Sequence, residues 1–151
     1  MKTRPQDQSS FLRRDIPSRL EEVDAVCLEV RAFVIANGMA ADSFAVELIA
    51  REFLNNAVLH GNQNQASKKA TLSLRLGRRW MRLQITDEGA GYNWREARRT
   101  VADPAATSGR GLAIGALYAD RISFNQCGNQ ITLWFDNNAT AKRYQHGKLH
   151  T

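Results

Sequence analysis

Several things are scarce or missing in this 151-residue sequence, and each absence closes off a class of protein. There are two cysteines, Cys27 and Cys127, far apart and without metal-ligand spacing. That excludes a cysteine-bound zinc module and a disulfide framework. Both lie in apolar-patterned segments and are expected in the core of a protein from a reducing compartment. No apolar run approaches the ~20 residues needed to cross a bilayer. The stretch Met1 to Ser10 is polar and lacks the apolar centre of a secretory signal. A soluble, cytoplasmic protein with no membrane partner is expected. Helix-turn-helix, zinc-finger and RNA-binding aromatic signatures are missing. So are the G-x-x-x-x-G-K-[ST] phosphate loop and a G-x-G-x-x-G opening a first βαβ unit.

Acid is the other local shortage. The net charge is +6, and from Lys68 to Arg82 six basic residues occur with no Asp or Glu among them. Arg95, Arg98 and Arg99 form a second basic group. These read first as solvated basic surface, next as a docking surface for an acidic protein, and last as a direct nucleic-acid contact.

The length suits one domain, 1–151, able to bury a real core. Phe11 to Ile16 suits a strand. Ser18 followed by Glu21 is a capping-box pattern, after which Leu20, Val23, Cys27, Val30 and Val34 recur at helical spacing. Asn37-Gly38 predicts the stop. A second helix is expected from Asp42 or Ser43 to about His60. Leu72, Leu74 and Leu76 alternate, as do Met81, Leu83 and Ile85, so 70–76 and 80–86 predict a hairpin across Gly77-Arg78-Arg79. Periodicity is lost from Asp87 to Gly109 and returns as a helix after Gly111. Arg121 to Asn125 and Gln130 to Phe135 predict a second hairpin around Gly128-Asn129. The expected core is about 11–136, with 137–151 a flexible tail. Helices segregated against a mainly antiparallel sheet make an α+β two-layer sandwich.

Three segments carry chemistry. Glu52, Asn56 and His60 are spaced i, i+4, i+8 and are expected on one helix face. The Asn56 carboxamide suits Mg²⁺, and the Glu52 carboxylate can orient or deprotonate a nucleophile. His60 reads equally as a cap on helix-end carbonyls. In Asp87-Glu88-Gly89-Ala90-Gly91, an aspartate at a strand end can accept from an exocyclic amine, while Gly89 and Gly91 admit a flat ring; an ordinary turn fits this stretch as well. In Thr107-Ser108-Gly109-Arg110-Gly111-Leu112, glycines just before a helix offer N–H groups to phosphate, with Arg110 adding charge.

Together, Glu52 with Asn56-Ala57-Val58-Leu59-His60-Gly61 resembles the N box of the GHKL ATPase superfamily. Asp87-Glu88-Gly89-Ala90-Gly91 resembles its D-x-G-x-G box, and Gly109-Arg110-Gly111-Leu112 its second glycine box. The resemblance spans about 19–135 and is nearest to the anti-sigma factor serine/threonine kinases of the RsbW and SpoIIAB kind. It implies a Bergerat (histidine-kinase-like ATPase) fold, a mixed sheet with helices on one face, binding ATP and Mg²⁺. By resemblance Asn56 ligates Mg²⁺, Glu52 is the general base, and Asp87 holds the adenine amine in a pocket shaped by Gly89 and Gly91. Ser108, Gly109, Arg110, Gly111 and Leu112 lie along the phosphates, 92–108 is the ATP lid, and Thr132 helps hold adenine. Histidine kinases usually carry asparagine where this chain has Glu52, and their dimerisation helix is not expected here. The implied partners are a STAS-domain anti-anti-sigma protein, a sigma factor or other client, and a second copy of the chain through the first helix. A non-catalytic ATP-binding switch module is the alternative.

Overall fold

The computed structural model of the protein describes residues 9–91 and 118–136. The elements run β1 (Ser10–Pro17), α1 (Leu20–Ala36), a 3₁₀ turn (Ala40–Asp42), α2 (Ser43–Asn56), a π-helical turn (Ala57–Gly61), β2 (Lys69–Leu76), β3 (Trp80–Thr86), β4 (Arg121–Phe124) and β5 (Gln130–Asp136). The strands form one sheet in the order β1-β2-β3-β5-β4. Every pairing among the described residues is antiparallel.

Strand alternation gives the sheet one apolar face. Leu72, Leu74 and Leu76 on β2 stand opposite Ile85, Leu83 and Met81 on β3, which stand opposite Ile131, Leu133 and Phe135 on β5. All nine are buried with Val23, Val30 and Val34 of α1 and Val46, Ile49 and Leu54 of α2. Period-3.6 stripes laid on a period-2 face make the core, so both helices lie on one side of the sheet. The opposite face carries Phe11, Arg75, Arg82, Thr132 and Trp134, and no helix among the described residues covers it.

Element ends show where local signals were overridden. Helix α1 stops as expected: Gly38 takes φ +81°, its N–H donating to the Ile35 carbonyl at 3.0 Å. Its start is different. The Ser18–Glu21 capping box does not form, because the N-cap is Arg19 and no side chain caps the helix. Ser18 is buried, and its hydroxyl donates instead to the Lys68 carbonyl at 2.7 Å. Cys27 is fully buried as expected, but Cys127 is exposed in the β4–β5 turn and is no core residue. The helix expected after Gly111 falls mostly outside the described residues, as does the tail 137–151.

Candidate functional site

The site begins where α2 ends. Glu52 and Asn56 lie one turn apart within α2, Glu52 half-buried and Asn56 exposed. Beyond Asn56 the helix widens into the π turn, closed by the Asn62 N–H donating to the Ala57 carbonyl at 2.7 Å. An i→i+5 turn breaks the α-helical phase. His60, exposed in that turn, is therefore not in the i, i+8 register with Glu52 that a continuous α-helix would give. Glu52 and Asn56 keep a common face.

The π turn delivers Gly61 against the loop that follows β3. A methyl group on Gly61 would lie 2.4 Å from the Asp87 carboxyl carbon, and one on Gly89 would lie 1.9 Å from the Gly61 carbonyl oxygen. Gly91 takes φ +102°, and a methyl there would fall 1.8 Å from the Cys127 carbonyl oxygen. Three backbones therefore meet too closely for any side chain: the end of α2, the loop after β3 and the β4–β5 turn. Glycine is required at Gly89 and Gly91 by backbone contact, and at Gly61 by the carboxyl of Asp87 itself.

Asp87 is held from both sides of that meeting point. Its Oδ1 accepts from the Gly89 N–H at 2.8 Å. Its own N–H donates to the Asn129 carbonyl at 2.8 Å, and Asn129 Nδ2 donates to the Asp87 carbonyl at 3.0 Å. Asn125 shapes the same turn, its Oδ1 accepting from the N–H groups of Gly128 and Gln130. Burial pushes the Asp87 carboxyl above the ordinary carboxylate range, against the lowering effects of the Gly89 N–H and the Lys68 charge. A half-buried carboxylate is thus fixed at the sheet rim on the helix side, closely flanked by Gly61 and Gly89.

A residue that periodicity alone passes over stitches this rim to the rest of the fold. Asn62, fully buried, donates from Nδ2 to Ser18 Oγ and to the Lys69 carbonyl, both at 2.9 Å, and accepts the Glu88 N–H on Oδ1 at 2.8 Å. Its sequence signal was only that of a helix stop beside Gly61. The Glu88 carboxylate adds a bond from the Lys69 N–H. One carboxamide therefore satisfies groups from the end of β1, the start of β2 and the loop after β3.

Residues 16–135 match the family model of the histidine kinase-like ATPase domain. The chain belongs to that family. Membership implies ATP as the nucleotide bound by this ATPase domain. No curated protein matches the chain closely enough to count as a relative.

The expected site residues divide accordingly. The fold brings together Asp87, Gly89 and Gly91, with Gly61, and carries Glu52 and Asn56 on the helix that runs into Gly61. Thr132 is not brought to them. Ile85 and Ile131 face each other on the helix side, so their neighbours Gln84 and Thr132 face each other on the opposite side. There Thr132 Oγ1 accepts from Gln84 Nε2 at 3.1 Å. Asp87, two residues past Ile85, keeps the helix-side parity, which places the sheet itself between Asp87 and Thr132. Ser108, Gly109, Arg110, Gly111 and Leu112, like the 92–108 lid, lie outside the described residues. Among the described residues no group of three or more His, Cys, Asp or Glu could hold a metal ion.

Proposed function

We propose that this ATPase domain is a protein serine/threonine kinase acting as a partner switch. In that role it phosphorylates a STAS-domain anti-anti-sigma protein and, when that protein is unavailable, sequesters a sigma factor. The observation that carries the reading is the pair Glu52 and Asn56 on one face of α2, directly ahead of the glycine meeting point at Asp87. A carboxylate one turn from a neutral oxygen donor gives what transfer to a hydroxyl needs.

Asp87 accepts from the adenine amine, and the small residues around it admit the flat ring. Asn56, an exposed carboxamide, would offer one hard oxygen to Mg²⁺. When bound, Mg²⁺ neutralises charge on the phosphates. Glu52 accepts the proton of the seryl or threonyl hydroxyl as its oxygen bonds to the γ-phosphorus and the bond to the β-phosphate oxygen breaks, leaving ADP and a phosphoprotein. A histidine acceptor needs no such base, which is why Glu52 favours hydroxyl transfer. Leu28 and Ile35, seven residues apart and both exposed on α1, supply an apolar stripe on which two copies of the domain would pair.

The test is phosphate transfer from γ-labelled ATP to a STAS protein encoded beside this chain. Label on a STAS serine or threonine, lost in Glu52→Ala while ATP binding persists, is the expected result. Tight ATP binding with no label on the STAS protein would leave a non-catalytic, nucleotide-ordered binding module in its place.

A further inference from the structure

The sheet face turned away from the helices carries a row of side chains that the nucleotide site does not use. Cross-strand register aligns Phe11 with Arg75, Arg75 with Arg82, Arg82 with Trp134, and Trp134 with Arg121. One residue from each strand thus forms a straight line across the whole sheet: Phe, Arg, Arg, Trp, Arg in spatial order. Trp80 widens it, its ring centroid 6.0 Å from that of Trp134. Phe11 is 49% exposed and Trp80 37%, Arg121 is exposed, and Arg75, Arg82 and Trp134 between them are half-buried.

We infer that this row is a docking surface for an acidic helix of a partner protein. Three arginines without an acid between them set the sign of the partner's charge. The acids on this face stand off the row: Asp15 is engaged by Thr71 and Arg13 further along β1, and Asp136 lies at the end of β5. The chain's own remaining segments are poor in acid, 1–8 holding Asp7 alone against Lys2 and Arg4. Residues 137–151 contain Lys142, Arg143 and Lys148 and no Asp or Glu, and 92–117 contain four arginines against Glu96 and Asp103.

The aromatic rings decide between protein and nucleic acid. Single-stranded RNA binds sheet faces by stacking bases on exposed rings. Here the Arg82 guanidinium already lies 5.4 Å from the Trp134 ring centroid, and Arg75 lies 5.0 Å from that of Phe11. With those faces occupied, the row presents guanidinium forks backed by apolar surface, the combination enriched at protein interface centres.

Spacing selects a helix. Strands lie about 4.8 Å apart, so Arg82, Trp134 and Arg121 sit about 5, 10 and 14 Å from Arg75 along the row. A helix crossing the strands at right angles and rising about 1.5 Å per residue presents one face at i, i+4, i+7 and i+11. Carboxylates at i, i+4 and i+11 meet the arginines, and an apolar residue at i+7 meets Trp134. This surface lies on the opposite side of the sheet from Asp87, so the proposal stands whether or not the domain transfers phosphate.

The test uses the full chain and a synthetic helical peptide with Glu at i, i+4 and i+11 and Leu at i+7. Trp80, Trp94 and Trp134 are the three tryptophans, so indole N–H resonances report the location directly. Saturable shifts at Trp80 and Trp134 are expected. Affinity should fall about tenfold or more in Arg82→Glu and in the edge-strand variant Arg121→Glu, both still binding ATP. A peptide of the same composition with its acids spread around the helix should bind about tenfold more weakly. Equal binding of the two peptides, saturable binding that leaves Trp80 and Trp134 unshifted, or saturable binding of oligouridylate to the row in preference to the peptide would each overturn the proposal.

Discussion

Asp87 and Asn129 hold one another by two hydrogen bonds of opposite sense, one backbone to backbone at 2.8 Å and one from the Asn129 carboxamide at 3.0 Å. Only the second depends on a side chain. Asn129→Ala removes it, at a cost of about 1 kcal/mol read as a lower urea midpoint. Since the lost bond sets the direction of the Asp87 backbone, ATP affinity should fall several-fold in the same variant, measured by calorimetric titration. Unchanged affinity would separate this turn from the nucleotide pocket.

Asp87→Asn should divide stability from binding. Burial makes the folded chain hold the Asp87 proton more tightly than the unfolded chain does, so the ionised form costs folding free energy at neutral pH. That cost lifts as pH falls through the raised folded pKa. The asparagine variant never carries it. Its Tm relative to wild type should therefore be most favourable near neutral pH and lose that advantage as the solution is acidified. On the role proposed for Asp87 as acceptor of the adenine amine, ATP affinity should nevertheless drop sharply at neutral pH.

The glycines should not behave alike under substitution. Gly89→Ala drives a methyl into the Gly61 carbonyl, and neither backbone can give way without dismantling the rim. A loss of about 3 kcal/mol or more, with ATP binding abolished, is expected in denaturation and titration. Gly38→Ala meets no atom within 4 Å and suffers only its positive φ. About 1 kcal/mol with normal ATP binding is expected there.

Thiol chemistry should distinguish the two cysteines. Cys27 is fully buried and its thiol is pushed up to about 11 by desolvation, while Cys127 is exposed. A disulfide reagent at neutral pH should titrate one thiol per native chain and two after unfolding. Cys127→Ser should abolish the native reaction.

Much of this fold can be read from periodicity. Leu72, Leu74, Leu76 and their partners Met81, Leu83 and Ile85 alternate because each strand buries one face, and that constraint is local. The misreadings share a different cause. Ser18 looks like a cap because Glu21 follows it, but its hydroxyl is taken by Lys68, fifty residues on. Cys127 follows an apolar strand yet falls in the turn. His60 continues an i+4 series only if the helix does not widen. Thr132 is on the wrong face by a parity that becomes visible once the β3–β5 register is known. Asn62 is the extreme case, since nothing beside it announces that distant segments need its three hydrogen bonds. Within the site, residue types were legible and the close approach of backbones at Gly61, Gly89 and Gly91 was not.

The bonds of Asn62 reach across 44, 7 and 26 residues of sequence. Two of the three are long-range contacts, closing loops of the kind whose ordering costs the chain most entropy. A single carboxamide thus ties the loop that carries Asp87 to the two strands at the far edge of the sheet.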